Sequence, residues 1–193
     1  MSTAGTRRRG VALENAILDA AWEELAEKGW LGFTIDGVST RAGTAKAVLY
    51  RRWRNRVELA EDLLQRETES RQWPREDSID LVTDLRGFLV EMAEFLSSPL
   101  GSAAWGVMTQ GDPARRPSVL EGPVIVGRVR TIFENALGRG ELIREPSSAV
   151  LNLGHAVVMS EFLHTGHPPT RAGIEIVLDQ VWMPAIRSAQ AAP

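Results

Sequence analysis

The stretch Thr34-Ile-Asp-Gly-Val-Ser-Thr-Arg-Ala-Gly43-Thr-Ala-Lys-Ala-Val-Leu-Tyr-Arg-Arg-Trp53 decides the fold. Thr34 is suited to an N-cap, and Ile35, Val38 and Ala42 recur three and four apart, so they share one face of a short helix. Gly43 stands where the chain must reverse, in a backbone conformation that glycine takes without steric cost. A second short helix then turns Ala45, Leu49 and Trp53 inward and leaves Thr44, Ala47, Val48, Tyr50 and Arg51 outward or sideways. Two short helices around one glycine make a helix-turn-helix pattern. Its outward face mixes the small apolar Ala47 and Val48 with donors that reach phosphate oxygens, Lys46, Tyr50 and Arg51. That mixture suits a helix in a major groove, where apolar groups meet thymine methyls and donors fix register on the backbone.

On the N-terminal side, residues 1–10 include Arg7, Arg8 and Arg9 and are expected to form a flexible basic arm for a minor groove or flanking phosphates. From Val11 to Lys28, Leu13, Ile17, Ala21 and Leu25 lie four apart, which predicts a helix that backs the motif and stops at Gly29. On the C-terminal side, Asn55 and Glu58 have capping-box spacing and open a fourth helix with Leu59, Ala60, Leu63 and Leu64 inward, ended by Trp73-Pro74. Arg56 sits in the first turn of that helix, where the helix dipole opposes a cation, so a phosphate is expected to dock beside it.

From about Ala16 to Leu64 the order of residues resembles the DNA-binding domain of the TetR family of transcriptional regulators. The matching features are Ala16-Ile-Leu-Asp-Ala-Ala21, Gly29 before an aromatic, the Thr34-Ile35 helix start, Arg41-Ala42-Gly43, Leu49-Tyr50-Arg51-Arg52-Trp53 and Asn55-Arg56-Val57-Glu58-Leu59. The resemblance implies a homodimeric, cytoplasmic regulator whose N-terminal domain binds an operator and whose larger C-terminal domain binds a small molecule. Two positions depart from the family pattern: Ala45 stands where serine is common and Val48 where a phosphate-binding threonine is common. Thr44 is left to take over the cap. The expected DNA-contacting set is Thr34, Arg41, Thr44, Lys46, Ala47, Val48, Tyr50, Arg51 and Arg56.

A chain of 193 residues, 44% hydrophobic and 24% charged, can bury a sizeable core as an ordinary globular protein. It has no cysteine, which excludes disulfides and thiolate metal sites. No apolar run reaches the length of a membrane span and no signal-type segment opens the chain, so a cytoplasmic protein without a membrane partner is expected. The net charge of −3 divides unevenly: residues 1–56 carry ten Lys or Arg against six Asp or Glu, and the remainder carries twelve against nineteen. A basic head on an acidic body is the asymmetry of a protein that brings one end to phosphate.

The rest of the chain reads as helices throughout. Leu81, Val82, Leu85, Phe88, Leu89, Met92, Phe95 and Leu96 recur at helical spacing before Pro99, a shorter helix covers Ser102 to Thr109, and another ends near Leu137. The sequence from Gly138 to Leu142, glycine and glutamate before an aliphatic, also resembles the family between its seventh and eighth helices. Phe88, Met92, Phe95, Trp105, Met108, Phe133, His155, Met159 and Phe162 are the expected ligand-binding residues, because aromatic and methionine side chains with few polar groups line small-molecule pockets. The last two helices, about Val150 to Leu163 and Ile174 to Ile186, are apolar on more than one face and need cover on both sides. A two-fold partner supplies it in a four-helix bundle, with Leu151, Val158, Ile174, Val177, Leu178, Val181 and Trp182 as the expected dimer interface. His164 and His167 flank a helix end and cannot share a helical face, so no metal site is expected there. No nucleophile elbow, P-loop or dinucleotide fingerprint appears; no catalytic residue, enzyme activity or cofactor is expected.

The expected protein is all-α, with a three-helix DNA-binding domain followed by a larger helical ligand-binding and dimerisation domain. The expected boundaries are an arm at 1–10, the helix-turn-helix domain at 11–56 and the effector and dimer domain at 57–193. Its partners are double-stranded operator DNA, a small-molecule effector and a second copy of the chain. Two alternatives remain open: a sequence-tolerant architectural DNA-binding protein without an effector, and an all-α binding or catalytic protein with an incidental helix-turn-helix.

Overall fold

The computed structural model describes residues 3–70, 79–112, 114 and 123–191, with side chains from residue 10 onward except at 68–70 and 123–124. The described elements are α1 (Thr3–Gly32), α2 (Ile35–Arg41), α3 (Lys46–Tyr50), α4 (Arg56–Ser70), α5 (Leu81–Ser97), α6 (Pro99–Gln110), α7 (Pro123–Gly138), α8 (Ser148–Thr165), α9 (Arg171–Ile176) and α10 (Met183–Ala191), with a π-helical stretch Val177–Trp182 between the last two. No strand occurs among the described residues. The fold is all-α, with an N-terminal helix-turn-helix and a helical C-terminal region.

The chain divides into two compact units, Met1–Arg71 with Pro99–Pro117, and Gln72–Ser98 with Ser118–Pro193. The first unit therefore does not end at residue 56. α4 and α6 pack on α1 and on each other, because Leu59, Leu63 and Leu64 of α4 and Ala103, Ala104 and Val107 of α6 are all buried. Pro99 starts α6 instead of closing the segment before it, since proline at the first helical position loses no hydrogen bond. α1 also begins earlier than expected and takes in most of the residues assigned to a flexible arm. The Arg7, Arg8 and Arg9 side chains and the Trp73-Pro74 terminator lie outside the described residues. Ile17, Ala21 and Leu25 are buried as their spacing predicts, while Leu13 is 41% exposed.

The second unit is built around Trp182. Its indole is fully buried, its Nε1 donates to the Val150 carbonyl at 2.7 Å, and its ring meets Phe88 at 6.4 Å and Phe133 at 6.2 Å between centroids. α8 comes this close because residue 154 is glycine: a Cβ there would lie 1.9 Å from the indole. At the other end of the unit, Asp80 caps α5 by accepting from Thr83 N at 2.9 Å. Glu141 accepts from Leu81 N at 2.8 Å, and Arg139 pairs with both Glu141 and the buried Asp84. These contacts satisfy amide groups that the first turn of α5 would otherwise leave without partners. The glycine-glutamate-aliphatic segment after α7 thus serves as a cap for α5.

The residues expected at a dimer interface are drawn into the packing of one chain. Leu151, Val158, Ile174, Val177, Leu178 and Trp182 are buried within a single chain, and Val181 is half-buried. α8 and the final helix are apolar on several faces because they are covered by α5, α7 and each other. The face left outward carries Ala156 and Ser160 of α8, Ile176 at the end of α9, Gln180 of the π-helical stretch and Pro184 of α10.

Candidate nucleic-acid interface

The helix-turn-helix is fixed by its caps. Thr34 Oγ1 accepts from Gly37 N at 3.0 Å and so starts α2 as the sequence predicts. At the other end Gly43 adopts φ 60°, Gly43 N donates to Thr40 O at 3.2 Å and Thr44 N donates to Ser39 O at 3.1 Å. This pair of bonds is a Schellman closure, which requires a left-handed residue at the turn. α3 then begins at Lys46, with Ala45 as N-cap and no side-chain cap, so Thr44 does not take over that role. Ala45 is exposed, and the inward positions are Leu49, fully buried, and Trp53, 1% exposed. Trp53 Nε1 donates to Asp62 Oδ2 of α4 at 2.8 Å, which sets the turn after α3 against the fourth helix.

Outward from this frame, Ala47, Tyr50 and Arg51 are exposed, Tyr50 at 51%, and Val48 is half-buried. Lys46 is exposed too and pairs with Asp36 of α2. The arginines that follow differ in commitment. Arg52 pairs with Glu14 of α1 and lies 5.5 Å over the Trp53 ring. Arg54 donates to Glu58 through Nε at 2.6 Å, and Arg54 N donates to the same carboxylate at 2.8 Å. The capping box is therefore shifted by one residue: Asn55 Oδ1 accepts from Val57 N and Glu58 N, while Glu58 reaches back to Arg54. Arg51 makes no ion pair among the described residues.

Two of the residues expected on DNA are turned to other work. The Arg56 guanidinium donates to the carbonyls of Trp30 at 3.1 Å and Phe33 at 3.2 Å, lies 4.5 Å over the Trp30 ring, and reaches Gln110 of α6 at 3.5 Å. Carbonyls at the end of α1 lack helical partners and attract a cation, so Arg56 clamps α4 to α1 in the DNA-free chain. Arg41 is held by Glu24, Glu27 and Glu23 of α1, at 3.2 Å for Glu24 and 3.5 Å for Glu23. Hydrogen bonds to Glu27 and then Glu24 raise its pKa further. Burial pushes the Glu24 carboxyl up, but hydrogen bonds from Lys28 and Arg41 outweigh this and hold it below the ordinary glutamate range. Asp36 and Glu24, neither visible as site residues in the sequence, are the acceptors that decide which cations stay available. Glu24 and Lys28 have helical i, i+4 spacing, but nothing local links either to Arg41.

The expected ligand-binding residues separate. Phe88, Met92, Phe95, Phe133 and Phe162 are buried in the second unit with Met159 and His155 half-buried, whereas Trp105 and Met108 sit on α6 in the first. Similar side-chain chemistry spans a boundary that helical spacing does not mark. His155 Nδ1 is buried without a hydrogen-bond partner among the described residues, and burial lowers its pKa. A groove of about 470 Å³ in the second unit is lined by Leu81, Glu141, Leu142, Met183, Ile186 and their neighbours, and by none of the expected set. Among the described residues no helix is long and apolar enough to cross a membrane.

Comparison with known proteins agrees with this geometry. Residues 17–63 match the family model described as bacterial regulatory proteins, tetR family. YdeS of Bacillus subtilis, described as an uncharacterized HTH-type transcriptional regulator, is 32% identical over 96 residues, and that match takes in 50% of this chain and 48% of the relative. The match thus spans about half the length of this curated relative. Among solved structures, a TetR transcriptional regulator from Agrobacterium tumefaciens superposes with a TM-score of 0.64 at 18% identity, over 94% of this chain and all of the other. MexZ of Pseudomonas aeruginosa does so at 0.55 and 18%, over 94% and 96%. At these identities the solved structures show a shared fold, and the match over α1 to α4 adds a likeness in sequence: residues 17–63 are similar to the DNA-binding helix-turn-helix segment of the tetR family of bacterial regulatory proteins.

Proposed function

We propose that the protein is a ligand-responsive transcriptional repressor of the cytoplasm that binds a palindromic operator as a homodimer and is released by a small, largely apolar effector. The observation that carries this reading is the face of α3. Ala45, Ala47, Tyr50 and Arg51 stand exposed on a rigidly capped motif, and Arg51 has no internal ion pair among the described residues, while the arginines after it are engaged. Small apolar groups beside free donors are the chemistry of base edges and phosphates together. The repressor sign follows MexZ, which shares the fold and is itself described as a key repressor. The dimer uses the outward face of α8 and of the run from α9 to α10, where Ile176 is 51% exposed. Two recognition helices must then sit about 34–36 Å apart, one turn of DNA. The effector binds better to a conformation with the wrong spacing, because differential affinity alone shifts such an equilibrium.

Selection of the purified protein on randomised duplexes at physiological salt tests this. A palindrome with half-sites about one helical turn apart is the expected result. Binding without any enriched sequence, vanishing as salt rises, would replace the proposal with an architectural role.

A further inference from the structure

Asp36 is the second residue of α2 and Lys46 the first of α3. The Lys46 ammonium donates to Asp36 Oδ2 at 2.5 Å, and the two side chains remain 57% and 59% exposed, Lys46 first. Both lie on the wall of a concavity of about 660 Å³ shared with Thr34, Gly37, Thr40 and Arg41. An ion pair this exposed adds little to folding. On a surface that meets DNA it also carries a disadvantage, because the carboxylate is repelled by phosphates and withdraws a cation from them. The dipole of α2 favours an acid in its first turn but does not aim that acid at Lys46. Moving Lys46 to a phosphate would leave Asp36 uncompensated against the DNA.

Given the helix-turn-helix reading above, we propose that Asp36 and Lys46 together read one G·C base pair in each half-site, Lys46 donating to guanine O6 and N7 while the Asp36 carboxylate accepts from the cytosine N4 amino group. In the major groove a G·C pair presents acceptor, acceptor and donor in that order, whereas A·T presents acceptor, donor and acceptor and then a methyl. Guanine O6 and cytosine N4 are hydrogen-bonded to each other, so they lie about 2.9 Å apart. An ammonium and a carboxylate held 2.5 Å apart match that spacing with complementary groups. The second ammonium proton is left for N7. On A·T the same pair, although N7 is still an acceptor, sets the ammonium against the adenine N6 amino donor and the carboxylate against the thymine O4 acceptor. The pairing of Asp36 with Lys46 therefore turns a non-specific cation into a base reader.

The test is selection on randomised duplexes with the full chain, comparing the natural protein with Lys46→Ala and Asp36→Asn. The natural protein should enrich a half-site with a G·C pair at the position where Lys46→Ala loses its preference, with discrimination there of about 5- to 150-fold. Asp36→Asn should lose preference at that same position and keep it elsewhere. Its affinity for unrelated DNA should rise, and the slope of log affinity against log salt should steepen by about 0.9, because the released Lys46 meets a phosphate. The proposal is overturned if Asp36→Asn keeps the G·C preference, if it loses preference at every position alike, or if the position read by Lys46 is A·T. A natural protein that enriches nothing overturns the regulator reading itself, and is told apart because no position then exists for a variant to lose.

Discussion

The two units hold their helices together by different means. In the first, α1, α2 and α4 are joined at their margins by charged side chains: Glu24 takes Lys28 and Arg41, Arg52 takes Glu14, and Arg56 closes the end of α1. In the second, one buried indole holds α5, α7, α8 and the last helix around it, and ion pairs such as Arg86 with Glu175 lie at the rim. A small domain that must present cations has few apolar residues to spare, and each internal carboxylate fixes one cation while leaving another free. The second unit can give its volume to packing. Interactions of the first kind are lost to pH and salt; those of the second are lost to changes of shape.

The largest effect should follow from breaking the indole. Trp182→Ala should cost about 3–5 kcal/mol in denaturant unfolding, and Gly154→Ala about 1–3 kcal/mol, because its methyl meets a rigid ring that cannot step aside. Next comes the clamp. Arg56→Met should cost about 1–3 kcal/mol by leaving the Trp30 and Phe33 carbonyls without their cation. Its salt dependence of DNA binding should stay that of the natural protein. A slope lower by about 0.9 would instead place Arg56 on a phosphate.

Acid should separate the units in order. His155 has its pKa lowered by burial, so its contribution is present above the ordinary histidine value of about 6.5 and is lost as pH falls through the lower folded value. Glu24 is also lowered, and its contribution is present above about 4.3 and lost below that as the carboxyl protonates. Stability measured against pH should therefore show a first decline that His155→Gln removes and a second, more acidic one that Glu24→Gln removes. A single decline insensitive to His155→Gln would mean that the buried Nδ1 costs nothing on charging.

How far the sequence could be read follows the same division. Periodicity finds the helices, Gly43 and the inward Leu49 and Trp53, since these depend on residues a turn or less apart. It does not find the clamp made by Arg56, because the carbonyls that hold it lie 26 and 23 residues away and carry no side-chain signature. It does not find the intramolecular packing of Trp182 and its neighbours for a related reason. An apolar face reads the same whether a second chain or the rest of its own chain covers it, and only Gly154, a gap the size of an indole, marks the second case. The ligand set divides where hydrophobicity is asked to mark a unit boundary: Trp105 belongs to the first unit and Phe88 to the second.

The smallest effect on stability and the most specific effect on function should come from Arg51. It is exposed, unpaired among the described residues and one turn beyond Ala47, so Arg51→Ala should leave unfolding within about 0.5 kcal/mol of the natural protein. If it meets a phosphate, its removal should weaken binding to all sequences alike and lower the salt slope by about 0.9. Tyr50→Phe should do less, since a neutral hydroxyl releases no counterion, and should weaken binding without changing the slope. Arg52→Ala provides the contrast. That cation is already paired with Glu14, so removing it frees a carboxylate at the edge of the head, and the repulsion between Glu14 and DNA should weaken binding beyond what the arginine itself supplied. If Arg51→Ala and Arg52→Ala changed the slope equally, internal pairing would not decide which cations read DNA, and committed and free arginines would be equivalent on this surface.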